Sequence, residues 1–538
     1  ATQGSKLYSV LPADGVGDFD FSRGSAATRI NKDGLIETVA SGVSRLNYPL
    51  IDGKVVGCPS HLLEPSRLQQ IQYSEAFDNA YWTKSGAGVQ GDPSTAGAEE
   101  VTNGDFATDT DWTKGAGTTI SSGLLNHTGG PTDTEQIISI SEKLYKIEYT
   151  IVSGSGSVRF WSNIGSYTNT QTGVGTYVSY FYYDSSIGTD GRFAMNLTND
   201  ISIDNVSVKE VQGYSSPSGD LSAFKLVEGT ANEIHRITSS NIITTDGVEI
   251  TQTIFVKNIS RNWIRLRSTI TSTTPYVFYN LSNNTIGSTS NASGTIETLG
   301  NGYKRLSITY TASGINNNLE LSLSQVNDNN LVAYQGDGTS GVYIFGAQLE
   351  QGSFPTSYIP NYGTSAGITR SAETANGAGD ASTFNDSEGV LMAEISNPKE
   401  NTNLVAIGLS NGSSSNTVVI FYYLDRVYMD IQNTGTYTSG YVNGIDTSNS
   451  NKIALKYKSG NISMFFNGYE ILTSTNSITL NGLNRINFDY GDGSLYKFEG
   501  STKQIQYYDS ALNDSDLEKI TSWTSFTDLA NGQTYSIK

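Results

Sequence analysis

Apolar and polar residues alternate one for one over short runs along most of the chain, and each run stops at a cluster of Gly, Asn, Asp, Ser or Pro. Leu321-Ser322-Leu323-Ser324, Ile453-Ala454-Leu455-Lys456-Tyr457 and Ile201-Ser202-Ile203-Asp204-Asn205-Val206-Ser207-Val208 are of this kind. Successive side chains on a strand point to opposite faces, so a period of two predicts strands with one face buried and one in water. Asn126-His127, Asn411-Gly412, Asn467-Gly468 and Asn481-Gly482 read as turns, at the spacing of sandwiches and jelly rolls. Helical periodicity is nearly absent. Only Asp509 to Ile520 carries it, with Asn513 or Ser515 as the cap. The fold class expected is all-β, a multidomain protein of β-sandwiches and jelly rolls.

A chain of 538 residues is too long for one hydrophobic core. An internal repeat suggests how it divides. Tyr73-Ser74-Glu75-Ala76-Phe77 leads to Trp82-Thr83-Lys84, and Asn103-Gly104-Asp105-Phe106 leads to Trp112-Thr113-Lys114. Two closing strands follow, Ile203 to Val211 and Val342 to Glu350. The second opening comes only about thirty residues after the first, too soon to complete a sandwich of about 100 residues. A nested parsing satisfies both: a jelly roll at 100–212 inserted into a host jelly roll made of 73–99 and 213–360. The turn-rich segment 1–72 reads as an N-terminal attachment arm, the small and polar segment 361–380 as a linker, and 381–538 as a third sandwich.

Composition narrows the function. With 10% aromatic and only 16% charged residues the chain is neither disordered nor a helical bundle. Its net charge of −19 opposes a phosphate backbone, and no basic stripe offsets it, so no nucleic-acid partner is expected. Cys58 has no second cysteine to pair with, and no run of 18 apolar residues predicts a membrane span. The chain begins at Ala1 without a charged-then-apolar leader, which raises the expectation of a trimmed leader or of release by cell lysis.

Signals for catalysis are thin. His61, His127 and His235 lie in different segments without metal-ligand spacing. Gly363-Thr364-Ser365-Ala366-Gly367 has the form of a nucleophile elbow but sits among small linker residues. No enzyme activity is expected. Sugar binding on a sandwich needs an aromatic platform with amides and hydroxyls around it. In the inserted unit, Trp161 and the strand Tyr177 to Tyr183, with Tyr180, Tyr182 and Tyr183, supply aromatic residues; they form either such a platform or a Tyr-covered outer sheet. Trp82 and Trp112 read as core anchors. Asp489-Tyr490-Gly491-Asp492-Gly493 lacks EF-hand spacing and reads as a tight turn.

Several words of the sequence resemble the opening of a group of tailed-bacteriophage virion proteins: Lys6 to Pro12, Phe21 to Arg29, Gly34-Leu35-Ile36-Glu37 and Leu62-Leu63-Glu64-Pro65. In that group they lead into a Tyr-Ser-Glu-x-Phe…Trp segment and close on Gly-Ala-Gln-Leu-Glu…Tyr-Ile-Pro, matched here by Gly346 to Glu350 and Tyr358-Ile359-Pro360. The inserted unit is similar to carbohydrate-binding-module jelly rolls, and the last unit to concanavalin A/laminin-G-like sandwiches. The resemblance implies a structural protein on the virion surface, a capsid decoration or a tail or head fibre. Its partners would be other virion proteins, further copies of itself and host-surface glycans, bound weakly and multivalently. The alternatives it leaves are a tailspike-type glycan-degrading enzyme and a capsid-cementing protein that binds no sugar. It also implies a structural calcium between the opening and closing strands of the inserted unit, at Asp105 and Asp204, although Ala107 stands where the pattern has Glu.

Overall fold

The structure, a computed structural model, describes residues 6–8, 18–91, 96–138, 144–162, 170–182, 192–211, 213–269, 274–397, 404–433 and 436–523. Strand accounts for 52% of the protein and helix for 2%, so the fold is all-β. The chain forms two compact units, one of residues 69–352 and 360–368, the other of 1–68, 353–359 and 369–538.

The unit at 69–368 holds two sandwiches, one threaded through the other. The host sandwich packs two six-stranded antiparallel sheets. One runs in the order Trp82–Ser85, Arg236–Ser239, Glu320–Ser324, Trp263–Arg267, Tyr276–Asn280, Thr285–Ser290. The other runs Ala87–Gln90, Phe224–Glu228, Gly341–Gln351, Glu249–Asn258, Lys304–Thr311, Ser293–Thr298. Inward positions such as Ile237, Ile264, Leu321, Leu226, Ile254 and Ile344 fill the space between the sheets. The chain leaves after Gln90 and returns at Phe224. In between it builds a five-stranded and a four-stranded sheet around a core of its own that includes Leu125, Ile147, Tyr149, Phe160 and Met195.

Each opening repeat makes the same clamp. The Trp82 indole N–H donates to the Tyr73 carbonyl at 2.7 Å, and Trp112 donates to Asn103 at 3.1 Å, nine residues back in both cases. Both rings are buried, so the indole anchors the core and pays its polar debt to the backbone. Asn126-His127 is not a turn: it lies in strand Leu124–His127, Asn126 opposite Ser202. The reversal sits earlier, at Ser122-Gly123, both at positive φ, where the twist of a two-residue hairpin requires it.

The other unit is a sandwich of a different make-up. One sheet runs Tyr469–Ser474, Ile462–Phe466, Asn451–Lys458, Glu388–Ser396, Gly500–Tyr508, Ser60–Leu63, Leu46–Asn47, with Lys6–Tyr8 also pairing with Gly500–Tyr508. The facing sheet has five strands, Thr436–Val442, Arg426–Asn433, Thr417–Tyr423, Val405–Ser410, Arg485–Asn487. Asn467-Gly468 makes the expected two-residue hairpin turn, both residues at positive φ. The helix Asp514–Thr521 is capped by Asn513, whose side chain accepts from the Asp516 N–H, and it lays Leu517 against Val390, Met392 and Phe465.

Two sequence expectations are corrected here. Segment 1–72 is not an attachment arm, because Ser60–Leu63 extends the sheet at Gly500–Thr502 and Asp20–Ser22 pairs with Thr374–Asn376. Segment 361–380 is not a linker, because Arg370, Glu373 and Ala375 are buried. Charges in segments without alternation look like solvated loop. These charges instead meet one another: Arg45 reaches Glu373 at 2.9 Å and Glu64 at 2.8 Å, Arg23 reaches Glu373 at 2.7 Å, and Arg370 reaches Glu64 at 2.9 Å. His61, fully buried between the rings of Phe21 and Phe488, completes the cluster without a hydrogen-bond partner among the described residues.

Candidate functional site

The residues singled out for sugar binding fall on two sheets of the inserted sandwich. Trp161 occupies strand Ser157–Ser162 opposite Ala194, in the four-stranded sheet. Tyr180 and Tyr182 occupy strand Gly175–Tyr182 opposite Lys146 and Leu144, in the five-stranded sheet. The topology therefore does not bring Trp161 and the tyrosines to one sheet. The side chains of these three residues, and Tyr183 altogether, lie outside the described part of the structure.

The calcium positions come close in the chain path, since the Val206 N–H donates to the Gly104 carbonyl at 2.8 Å. Their carboxylates are spent locally. Asp204 accepts from the Asn205 N–H at 2.7 Å, and exposed Asp105 accepts from the Ala107 N–H at 3.4 Å. Among the described residues no three His, Cys, Asp or Glu side chains gather as a metal would need. A hard cation wants six or more oxygens with charge to match, and this pair does not fit one.

A different surface has the makings of a site. In the first host sheet, Ile237, Leu321, Leu323, Ile264 and Leu266 point into the core, so the pleat turns Arg236, Glu320, Ser322, Arg265 and Arg267 outward. Glu320 is the single acidic residue in these six strands, and three guanidinium groups converge on it. Arg265 reaches it at 2.9 Å, Arg267 at 2.7 Å and Arg236 at 3.3 Å. Ser322 Oγ donates to the same carboxylate at 2.9 Å. Burial pushes the Glu320 carboxyl up, but the hydrogen bond and charge of Arg267, with those of Arg265, outweigh it and hold the group below its ordinary value. Arg265 is pushed down to about 10 by burial and by neighbouring Arg267, more than Glu320 compensates.

Cation is therefore in excess: three guanidinium groups against one carboxylate leave a surplus of two in a chain whose total is −19. Arg236 and Arg267 remain partly open, with 33% and 18% of their side chains exposed. The loop after Ser324 walls one side, where Asn329 accepts from Arg265 at 2.7 Å and Asn327 accepts from the Ser288 N–H at 2.7 Å. Half-buried Trp263 and Tyr276 stand at the ends of the same arginine strand and its neighbour. Guanidinium forks match carboxylates in pairs, and indole and phenol rings accept the C–H face of a sugar. Paired carboxylates for glycosidic hydrolysis are not on this face, and Glu320 is held ionised, unsuited to donate a proton.

The local signal for this face, not among the site residues expected from the sequence, is Trp263-Ile264-Arg265-Leu266-Arg267, where arginine takes successive polar positions of an alternating strand. Which strand lies beside it, bringing Glu320 and Arg236, is not written in any local pattern.

No protein-family model matches the chain, and no curated protein matches it. Among solved structures, the CBM40 module of the Ruminococcus gnavus IT-sialidase bound to alpha2,3 sialyllactose is 20% identical, with a TM-score of 0.24 over 27% of this chain and 93% of its own. The NanB sialidase from Streptococcus pneumoniae is 18% identical, with a TM-score of 0.23 over 26% of this chain and 25% of its own. Domains LG4-5 of the mouse laminin alpha1 chain are 10% identical, with a TM-score of 0.20 over 53% of this chain and 92% of theirs. Likenesses at this level carry no weight for function.

Proposed function

We propose that this chain is a non-enzymatic, surface-displayed structural protein of a tailed-phage particle whose host sandwich binds acidic glycans. The observation that carries the binding is the excess of guanidinium on an aromatic-flanked sheet face, Arg236, Arg265 and Arg267 around Glu320. A sugar carboxylate would take the free donors of Arg236 and Arg267, with Trp263 beside it for the ring. Single contacts of this kind are weak, and many copies on one particle multiply them by effective concentration. The virion setting rests on the sequence words around Phe21 to Arg29 and Tyr358-Ile359-Pro360.

Calorimetry with alpha2,3 sialyllactose and a uronic-acid oligosaccharide as acidic probes tests the reading, with lactose as the neutral control. Saturable binding of an acidic probe, weakened about tenfold or more by Arg267→Ala, is expected. No binding of either probe would overturn the acidic-glycan assignment. Steady release of reducing ends from bacterial polysaccharide would replace it with an enzyme, and saturation of bare capsids alone would leave a cementing protein.

A further inference from the structure

The second unit carries an open aromatic face that is chemically unlike the arginine face. In its five-stranded sheet Val427, Met429, Ile431, Val418 and Ile420 fill the core. The alternate positions present Phe421, Tyr428, Asp430, Tyr437, Ser439 and Tyr441 on the other side, where Phe421 pairs with Tyr428, Tyr428 with Tyr441 and Asp430 with Ser439. Phe421 and Tyr428 stack with centroids 4.8 Å apart, and Tyr428 and Tyr441 lie 5.3 Å apart. The loop at Asp489 to Tyr496 folds over one end and adds Tyr490, 5.9 Å from Phe421, and Tyr496. Gly408 permits that approach, since a Cβ there would stand 2.9 Å from the Asp489 carbonyl. Tyr496 is held at a φ of 55°, a left-handed conformation that is strained for a bulky residue. Tyr437, Tyr441 and Tyr496 are 57%, 54% and 48% exposed, a contiguous patch rather than scattered rings.

Asp430 sets the polarity of this patch. Its carboxylate is buried and accepts from the Tyr437 hydroxyl at 2.7 Å and from the Ser439 hydroxyl. Both hydroxyl protons are thus committed inward, and the two oxygens offer lone pairs outward. At the rim the Arg426 guanidinium lies 5.5 Å from the Tyr441 ring centroid and donates to Tyr428 Oη at 3.2 Å. Asp425, 3.8 Å from Arg426, and Asp489 and Asp492 in the covering loop join Asp430, so this face holds no excess of cation. Acceptors facing out suit a ligand rich in O–H donors and repel a carboxylate or phosphate.

We propose that this face is a carbohydrate platform for a neutral oligosaccharide lying along strand Thr436–Val442, with sugar rings on Tyr437 and Tyr441 and hydroxyls donating to Ser439 Oγ and Tyr437 Oη. Tyr437 and Tyr441 are four residues apart on one face, about 13 Å, which spans more than one sugar ring. The platform goes beyond the acidic-glycan reading and does not depend on it, since it uses other residues, another unit and the opposite charge preference.

The test is titration of the intact chain with cellohexaose, maltohexaose, xylohexaose and mannohexaose, followed by calorimetry and tyrosine fluorescence. At least one should bind in the millimolar range or better, and Tyr441→Ala should weaken it about tenfold, the loss of one stacking contact. Tyr437→Phe, which keeps the ring and frees one oxygen of Asp430, should weaken it less, whereas Arg267→Ala should leave it unchanged. Because Arg267→Ala addresses only acidic probes, failure of one site is distinguishable from failure of the other. Absence of binding by all four sugars overturns the platform. So does binding that Tyr441→Ala leaves intact, or self-association in sedimentation that Tyr441→Ala abolishes.

Discussion

Two of the places where the second unit takes carboxylates out of water treat them oppositely. Glu373 is met by the guanidinium groups of Arg23 and Arg45 and by the Glu64 N–H, all charge-assisted or backbone donors. Asp430 is met only by hydroxyls, those of Tyr437, Ser439 and, at 3.5 Å, Tyr490. The acids differ accordingly. Arg370 and Arg45, with Ser357, overcome burial and hold Glu64 well below the usual carboxylate range, whereas burial wins at Asp430 and pushes it up. A closed ion cluster is buried out of a ligand's reach and ties distant segments of chain together. A carboxylate served by surface hydroxyls costs stability and leaves those hydroxyls oriented, which is a binding surface's requirement.

Changing either acid of the closed cluster should have the largest effect. Glu373→Gln strands Arg23 and Arg45 without their anion, and a loss of about 3–5 kcal/mol is expected in urea unfolding. A change under about 1 kcal/mol would mean the cluster is solvated and the contrast false.

Next in size is the acid response of His61, lowered to about 3 by burial and then by Arg45 and Arg23. Its folded form resists the proton that the unfolded chain accepts near 6.5, so stability is full above that value and falls as pH drops toward 3. Between pH 6.5 and 4.5 the loss attributable to His61 is about 2–3 kcal/mol, and Glu64 of the unfolded chain starts to titrate only at the acid end of that window. His61→Phe should flatten that part of the profile. An unchanged slope would assign it to other groups.

The smallest effect on stability belongs to Asp430→Asn, within about 1 kcal/mol in either direction. Its pH signature has the opposite sign. An acid raised by folding favours the fold below its unfolded value and loses that contribution as pH rises through the folded value. Replacing it should therefore remove a weak decline of stability with rising pH, while neutral-sugar binding falls. Equal losses from Asp430→Asn and Glu373→Gln would erase the distinction between the two sites.

Much of this architecture is readable from local pattern. Alternation such as Ile201 to Val208 yields strands because the pleat has a period of two whatever the surroundings. The paired openings at Tyr73 and Asn103 betray the nesting, since each builds a clamp within nine residues of its tryptophan. The Tyr face was legible in part as well: Tyr428 and Asp430, then Tyr437, Ser439 and Tyr441, occupy the polar phase of their strands. The denser aromatic run at Tyr177 to Tyr183 has rings in both phases, so its pattern does not mark which face is wet.

Strand identity, turn chemistry at Asn467-Gly468 and the capped helix at Asn513 were decided by the amino-acid sequence alone, because each depends on residues within a few positions of one another. Which strands become neighbours was decided only by the tertiary structure. Arg23, Arg45, Glu64, Arg370 and Glu373 are separated by up to 350 residues, and no period records that their charges meet. The same holds for Arg236, Arg265 and Arg267 around Glu320: burial and Coulomb energy act through space, and only the fold says what lies nearby.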